Sequence, residues 1–359
     1  MSEKSFRVLA INPGSTSTKA AVYDDEQEIA NVTIRYHPEE LAKYDNIIAQ
    51  RELRAIDVIK MLDERDIALS SLNAVVGRGG LIKPIDSGTY LINERMLEDL
   101  ISDSAMVHAS ALGGLIAEAI GKQYNIPAYV VDPIVVDEME PCAKLTGIPG
   151  IERRSVFHAL NSKAVARRCA KQIGIPYEDG RFIVVHMGGG ITVGAHRYGR
   201  VIDVNDAVSG EGPFTPERSG SVPLEPVIDM CFSGKFTKAE IMSKVIGKGG
   251  MQAYLGTTDM IAVQQMVKGG DEYAALVLDA MAYQVSKEIG AMAAVLEGRI
   301  DAIILTGGLA YSVRFTGSIK QRVDQIAKVY TFPGEAELLA LAEGALRVLK
   351  GETNTAAYL

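Results

Sequence analysis

The stretch Phe182–Asp203, FIVVHMGGGITVGAHRYGRVID, contains three short apolar runs separated by glycines. The runs are Phe182–Val185, Ile191–Ala195 and Val201–Val204. Their β-branched residues favour strands, so the stretch predicts strand, glycine turn, strand, turn, strand. Gly188, Gly189 and Gly190 form the first turn, where backbone of positive φ and close-lying N–H groups could cradle a phosphate. An ordinary flexible hairpin turn is the alternative.

A similar turn lies near the start of the chain. Phe6–Asn12 and Ala20–Asp24 are predicted strands, and Pro13–Lys19 (PGSTSTK) joins them. The turn is not a P-loop, because no glycine precedes Lys19 and a strand rather than a helix follows it. Its hydroxyls, backbone N–H groups and ammonium could instead hold phosphate oxygens. An ordinary polar turn remains possible. The candidate residues are Gly14, Ser15, Thr16, Ser17 and Lys19.

The predicted elements occur twice in the same order. Strand, turn, strand, strand, helix, strand, helix, strand is found from Phe6 and again from Phe182. Helices are expected over 38–66 and 155–173, among others. This alternation predicts an α/β protein of two similar domains with a cleft between them. The expected domains are residues 1–154 with 338–359, and residues 155–337.

A third glycine pair, Gly307-Gly308, follows the predicted strand Asp301–Leu305 and precedes a helix. Helix N-termini offer free N–H groups to anions. Two glycine turns followed by strand–Gly–Gly–helix resemble the superfamily of sugar kinases, heat-shock chaperones and actin. That superfamily has a duplicated ribonuclease H-like topology.

Composition and charge argue against several other classes of protein. The chain has 359 residues and a formal charge of −8, which argues against a basic nucleic-acid face. Its three cysteines lie far apart, so neither a disulfide framework nor a zinc site is expected. No signal pattern or long apolar run is seen. We expect a cytoplasmic protein with no membrane or nucleic-acid partner.

Three charged residues occur in unusual settings. Arg78 lies in VVGRGG, and its glycine neighbours suggest that it meets a bulky anion. Arg218 lies in the irregular segment FTPERSG. Both guanidinium groups could clamp a carboxylate or phosphate, although either could instead tie loop carbonyls. Asp132 ends the strand Ala128–Val131, where α/β folds place functional carboxylates.

The histidines are weighed by position. His186 ends a predicted strand beside the glycines, which favours a functional role. His158 lies in an apparent helix, VFHALN, where a core role competes with catalysis. His108 is expected to cap a helix, and His196 is expected at the surface of the hairpin.

Taken together, the motifs resemble the acetate/butyrate kinase family over nearly the whole chain. The matching segments are INPGSTSTK from Ile11, VFHALN from Val156, VVHMGGG from Val184, FTPERSG from Phe214, LTGGLA from Leu305 and PGEAELLALAEGALRVL from Pro333. Acetate kinases carry asparagine where this chain has Gly189, and histidines and valines where it has VGRGGLIKPI from Val76. Both departures resemble the butyrate branch.

The resemblance implies transfer of the ATP γ-phosphoryl group to butyrate, with Mg²⁺. Catalytic roles are implied for Arg78, Arg218, His158, His186 and Asp132, and nucleotide contacts for Asn12, Gly14–Ser17, Lys19, Gly188–Gly190, Asp259, Gly307 and Gly308. Asn12 and Glu337 would hold the metal, with Glu335 as the alternative. The N-terminal domain would bind the acid and carry the first phosphate segment, the second domain would bind the nucleotide, and a homo-oligomer is implied. Alternatives are a kinase of propionate, isobutyrate or acetate, and an actin-like or chaperone-like ATP switch.

Overall fold

Two mixed sheets form the framework of the protein, seen in a computed structural model that describes residues 5–102 and 109–359. The predicted cap His108 lies outside the described residues. The strands are β1 (Arg7–Pro13), β2 (Ser17–Asp24), β3 (Gln27–Arg35), β4 (Ala74–Gly77), β5 (Thr89–Leu91), β6 (Ala128–Val131), β7 (Arg181–Met187), β8 (Ile191–Arg197), β9 (Arg200–Val204), β10 (Ala302–Gly307) and β11 (Val329–Pro333).

The two sheets repeat one topology. The first has the order β3-β2-β1-β4-β6, with β5 added beyond β6, and the second has the order β9-β8-β7-β10-β11. In each, the first three strands pair antiparallel, and the last two run parallel to the central strand. The predicted duplicated α/β fold is therefore confirmed. In both sheets, a glycine turn joins the central strand to its antiparallel neighbour.

Helices cover the sheets. They are α1 (Pro38–Leu41), α2 (Arg51–Asp63), α3 (Glu94–Ser102), α4 (Ala111–Tyr124), α5 (Pro141–Lys144), α6 (Ala159–Ile173), α7 (Leu224–Phe232), α8 (Lys238–Val245), α9 (Gly250–Leu255), α10 (Met260–Lys268), α11 (Glu272–Val295), α12 (Val313–Val323) and α13 (Glu337–Leu349). Short 3₁₀ turns lie at Ile48–Gln50, Leu69–Ser71, Tyr177–Asp179 and Gly308–Tyr311. No helix among the described residues has the length and apolar character needed to cross a bilayer.

The chain forms two compact units, each with its own hydrophobic core. One comprises Met1–Val136 and Ala336–Leu359, and the other Asp137–Glu335. The first change of unit comes before the predicted 154/155, because residues 137–154 are bonded to the second unit. Glu138 pairs with Lys163 of α6 at 2.9 Å, and Arg153 pairs with Asp203 of β9 at 2.8 Å.

The local differences from expectation have local causes. The helix predicted over 38–66 is divided, since residues between α1 and α2 form turns and the Asn46 side chain accepts a hydrogen bond from the N–H of Ala49. The helix predicted over 155–173 begins only at Ala159. His158 precedes it with φ −78° and ψ 58°, outside the helical region. The three-residue strand β5 was too short to predict from its pattern.

Candidate active site

The first glycine turn is a tight connection between β1 and β2. Asn12 pairs with Lys19 across the two strands, and the N–H of Gly14 donates to the carbonyl of Ser17 at 2.7 Å. Ser15 and Thr16 are exposed at the tip, and Lys19 is exposed on β2. Hydroxyls and an ammonium are thus presented on one exposed turn, as an anion site requires.

Arg78, Asn12 and Glu337 meet at the ends of β4, β1 and α13. The Arg78 guanidinium lies 2.7 Å from Glu337 Oε1, and the Asn12 amide donates to Glu337 Oε2 at 2.5 Å. Glu337 is the first residue of α13 and is 9% exposed. Of the two glutamates weighed for a metal, Glu337 is therefore the one beside Asn12, whereas Glu335 lies near His186.

The glycines around Arg78 serve packing, which corrects the expectation that they make room for an anion. A Cβ on Gly77 would come within 1.9 Å of the carbonyl oxygen of Gly113 in α4. On Gly80 it would come within 2.7 Å of the Ala111 side chain. Side chains at these positions would therefore push α4 away from the strand that carries Arg78.

Asp132 follows β6 in a left-handed conformation, with φ 38°. It is 3% exposed, and its Oδ1 accepts a hydrogen bond of 2.8 Å from the N–H of Gly88. Non-glycine residues in this region store strain that often accompanies functional sites. The bond to Gly88 shows that Asp132 also orders the segment before β5.

The second glycine turn lies against the arginine loop of the same unit. The Thr215 hydroxyl donates to the carbonyl of Gly189 at 2.6 Å, and the N–H of Arg218 donates to that hydroxyl at 3.0 Å. A Cβ on Gly190 would lie 2.2 Å from Arg218 Nη1, and one on Gly189 would lie 3.2 Å from Glu217 Oε1. None of the three glycines has positive φ. They provide room for these neighbours and not the left-handed backbone that we expected.

The guanidinium of Arg218 forms hydrogen bonds through only some of its nitrogen atoms. Its Nη1 donates to the carbonyl of Ala207, and its Nη2 lies 3.7 Å from Glu217. Its Nε is buried without a hydrogen-bond partner within the described residues. Burial lowers the pKa of the guanidinium from its usual value, with Glu217 and Asp206 partly opposing the effect. An unpartnered buried donor beside a glycine turn is suited to an anionic ligand.

His158 and His186 stack on one another. Their ring centroids are 3.7 Å apart and their planes differ by 7°. Asn161 Nδ2 lies 2.8 Å from His186 Nδ1, and Thr192 Oγ1 lies 3.2 Å from His158 Nδ1. Because an amide nitrogen can only donate, we assign the acceptor role in this contact to Nδ1 and the donor role to Nε2. That atom is buried, and Glu335 Oε1 is 3.0 Å away but out of line for a hydrogen bond.

Gly307 and Gly308 differ in what they do. Gly307 has φ 87°, and a Cβ there would meet the Met187 carbonyl oxygen at 2.4 Å. Gly308 is exposed with nothing within 4 Å of the position of a Cβ. Only Gly308 therefore presents open backbone. Asp259 caps α10 by accepting from the N–H of Ile261 at 2.8 Å, and within the described residues no hydrogen bond or ion pair joins it to the glycine turns.

Two residues stand elsewhere than the sequence suggested. His196 is fully buried, with Nδ1 2.8 Å from the Tyr177 hydroxyl, so its predicted surface position is wrong. Its partner Tyr177 lies in a separate 3₁₀ turn, which the hairpin pattern could not reveal. Arg54, which had no assigned role, is fully buried beneath the first glycine turn. Its signal is a cation in the apolar stripe that α2 forms with Ala55, Val58 and Leu62.

Comparison with known protein families identifies the class of this chain. The model of the acetokinase family matches residues 143–338, more than half of the chain. The protein belongs to the acetokinase family. It is therefore a member of a family of carboxylate kinases that use ATP.

Solved structures of this class share the fold. Acetate kinase from Porphyromonas gingivalis superposes with a TM-score of 0.77 at 19% identity, covering 96% of this chain and 100% of that one. A propionate kinase from Francisella tularensis subsp. tularensis SCHU S4 gives 0.75 at 18% identity, over 94% and 98%. Acetate kinase from Entamoeba histolytica gives 0.76 at 18% identity, over 95% and 99%.

Proposed function

We propose that the protein transfers the γ-phosphoryl group of ATP to butyrate, giving butanoyl phosphate and ADP in a reversible reaction. The observation that carries the proposal is Arg218, whose buried and unpartnered Nε lies in the loop that packs against the second glycine turn. A guanidinium in that setting suits the phosphoryl group or the carboxylate of an acyl kinase. The same chemistry would serve propionate, isobutyrate or acetate.

Support for butyrate comes from two departures in sequence. Gly189 replaces the asparagine of acetate kinases, and Glu217 Oε1 fills the space that a side chain would need. The segment around Arg78 differs as well. We assign acid binding and the first phosphate turn to the first unit, and the remaining nucleotide contacts to the second. A cytoplasmic location is proposed from the sparse, unpaired cysteines.

The reaction needs charge stabilisation more than a base. A carboxylic acid is already ionised at neutral pH, because carboxyl pKa values lie near about 4. The protein must instead bring two anions together and stabilise an in-line phosphoryl transfer. Arg218 and the Nε2–H of His186 would donate to phosphoryl oxygens, and His158 would hold the His186 ring by stacking. Arg78 would orient an anion from the first unit.

The remaining residues would bind the nucleotide and metal. Ser15, Thr16 and Lys19 are exposed and would contact phosphate oxygens, while the open backbone of Gly308 would face the adenosine side. Asp259 is a further candidate there. Asp132 would position the segment it holds.

A magnesium site at Asn12 and Glu337 fits the donor types present, because the Asn12 amide and the Glu337 carboxylate both contain the oxygen ligands that Mg²⁺ prefers. Glu337 is bonded to Arg78 and to the amide nitrogen of Asn12, so the ion would have to replace these contacts. Within the described part of the chain, no three His, Cys, Asp or Glu side chains gather into a dedicated metal cage. When bound, the ion would neutralise phosphate charge.

Hydroxylamine trapping tests the proposal. The protein is incubated with ATP and acids of two to six carbons, and acyl hydroxamate is measured. We expect butyrate to give the highest kcat/KM. Arg78→Ala and Arg218→Ala should lower kcat by about a hundredfold or more, since removing one transition-state donor costs about 3 kcal/mol. Arg314→Ala, an exposed arginine of α12 paired with Asp279, is the control and should keep full activity.

An ATP switch is the second candidate. Such a protein would hydrolyse ATP slowly whatever acid was added. Absence of hydroxamate with every acid, together with acid-independent hydrolysis, would favour the switch. Near-wild-type turnover in Arg78→Ala or Arg218→Ala would contradict the catalytic role assigned to that arginine.

A further inference from the structure

Arg54 lies directly beneath the first glycine turn. It projects from α2 and is fully buried. Its Nη1 donates to the carbonyls of Gly14 at 2.8 Å and Ser17 at 3.0 Å, and its Nη2 donates to the carbonyl of Ser15 at 2.8 Å. One guanidinium therefore binds three of the four carbonyl groups from Gly14 to Ser17.

The rest of the guanidinium is also fixed. Gln50 Oε1 accepts from Nη2 at 2.7 Å and from Nε at 3.2 Å, and Thr18 Oγ1 accepts from Nη1 at 3.2 Å. The Tyr36 ring packs 4.7 Å from the guanidinium carbon, a cation–π distance. These contacts fix the conformation of the Arg54 side chain and connect the first glycine turn to α2.

The charge of Arg54 has no acidic counterpart. A fully buried cation is usually paired with a carboxylate, yet Arg54 makes no ion pair within residues 5–102 and 109–359. Burial lowers the pKa of its guanidinium, but arginine stays protonated in proteins. Carbonyl dipoles, which carry no net charge, solvate it. A net positive charge thus lies under the turn that we assign to phosphate.

We propose that Arg54 is a positioning residue for the nucleotide phosphates. Carbonyl oxygens that bind Arg54 cannot face a phosphate, so the exposed side of the turn presents the hydroxyls of Ser15 and Thr16 to the ligand. The positive charge of Arg54, on the buried side of the turn, also attracts the phosphate groups of the nucleotide. This inference rests on the proposed function, because it takes the turn as the ATP phosphate site.

ATP binding without acid separates this role from a merely structural one. The variants are Arg54→Met, which removes the charge at similar volume, and Arg54→Lys. The lysine keeps the charge but lacks the planar guanidinium that binds several carbonyl groups at once. Arg7→Met is the matched control, because Arg7 pairs with Asp24 at the opposite end of the same two strands. ATP dissociation constants are measured by titration calorimetry, and unfolding midpoints by urea.

We expect Arg54→Met to weaken ATP binding by about tenfold or more, and Arg54→Lys by an intermediate factor. The KM for the acid should change by less than about twofold, because the proposal assigns the turn to the nucleotide phosphates and not to the acid. Arg7→Met should lower the unfolding midpoint while leaving ATP binding unchanged.

ATP binding within about twofold of wild type in a folded Arg54 variant would overturn the inference. If neither Arg54 variant folds, Gln50→Met decides, since it frees two guanidinium bonds and should also weaken ATP binding. The two proposals fail separately. Absence of hydroxamate in the wild type would remove the kinase assignment, whereas weakened ATP binding in the variants would still support Arg54.

Discussion

His196 shows how a single buried side chain can set a pH limit on stability. It is fully buried on β8, bonded to Tyr177, and its Nε2 has no partner within the described residues. Burial, together with the positive charges of Lys163 and Arg167, holds the pKa of its imidazole well below the usual 6.5. The ring is therefore neutral in the folded protein at every pH where the unfolded chain would begin to protonate it.

The free energy of unfolding should consequently fall as pH drops below about 6.5, with a slope approaching about 1.4 kcal/mol per pH unit, and His196 should contribute no pH dependence above about pH 7.5. The sign follows because the unfolded state binds the proton and the folded state does not. Urea unfolding between pH 8 and pH 5.5 measures it. His196→Gln should reduce the slope. An unchanged slope in His196→Gln would contradict this reading.

At the same scale, the local sequence singles out candidate residues but does not identify the side chains that they contact. Arg78, Arg218 and His186 stood out because their local sequence was unusual. The stack of His158 on His186, however, depends on a loop and a strand that lie far apart in the chain. Arg54 looked like any helix arginine, because only the folded turn reveals the carbonyls it binds.

Helix α4 packs closely against β4 beside Arg78, and this contact depends on glycine on both sides. A Cβ on Gly77 would lie 1.9 Å from Gly113 O, and one on Gly113 would lie 2.4 Å from Arg78 O. Gly77→Ala should therefore destabilise the protein by about 3 kcal/mol, because backbone must move to relieve the overlap. Urea unfolding provides the measurement.

Gly290→Ala is the matched control for that substitution. Gly290 lies within α11, with nothing within 4 Å of the position of a Cβ. Alanine there should stabilise the protein by about 0.5–1 kcal/mol through helix propensity. If Gly77→Ala were as stable as wild type, the glycine would not be required by packing.

The positions of strands could be predicted from the sequence more reliably than the contacts that the glycines between them make. Apolar runs such as Ala128–Val131 predicted strands because each central strand is buried on both faces. The local pattern suggests room for an anion at Gly77 and a phosphate-cradling turn at Gly190, yet Gly77 contacts α4 and Gly190 contacts Arg218. Those partners come from distant parts of the chain, and a local pattern cannot contain them.

At the scale of the whole molecule, each of the two sheets has its own hydrophobic core. The apolar face of α7 belongs to neither core. Helix α7 has no buried residue. Leu224, Ile228 and Phe232 are 69%, 54% and 86% exposed, and their spacing of four places them on one face. Apolar residues grouped on an exposed helix face commonly mark an interface between proteins.

We therefore expect the protein to form a homo-oligomer in which α7 is covered by a second copy of the chain. Light scattering during size exclusion should give a mass above that of one chain. Ile228→Glu should shift the protein toward monomer, because a charge placed in an apolar interface is costly to bury. Ile56→Glu, which adds the same charge at an exposed position of α2, should leave the mass unchanged. A monomeric wild type at micromolar concentration, or equal masses for wild type and Ile228→Glu, would exclude α7 as the interface and leave its apolar face for a different partner.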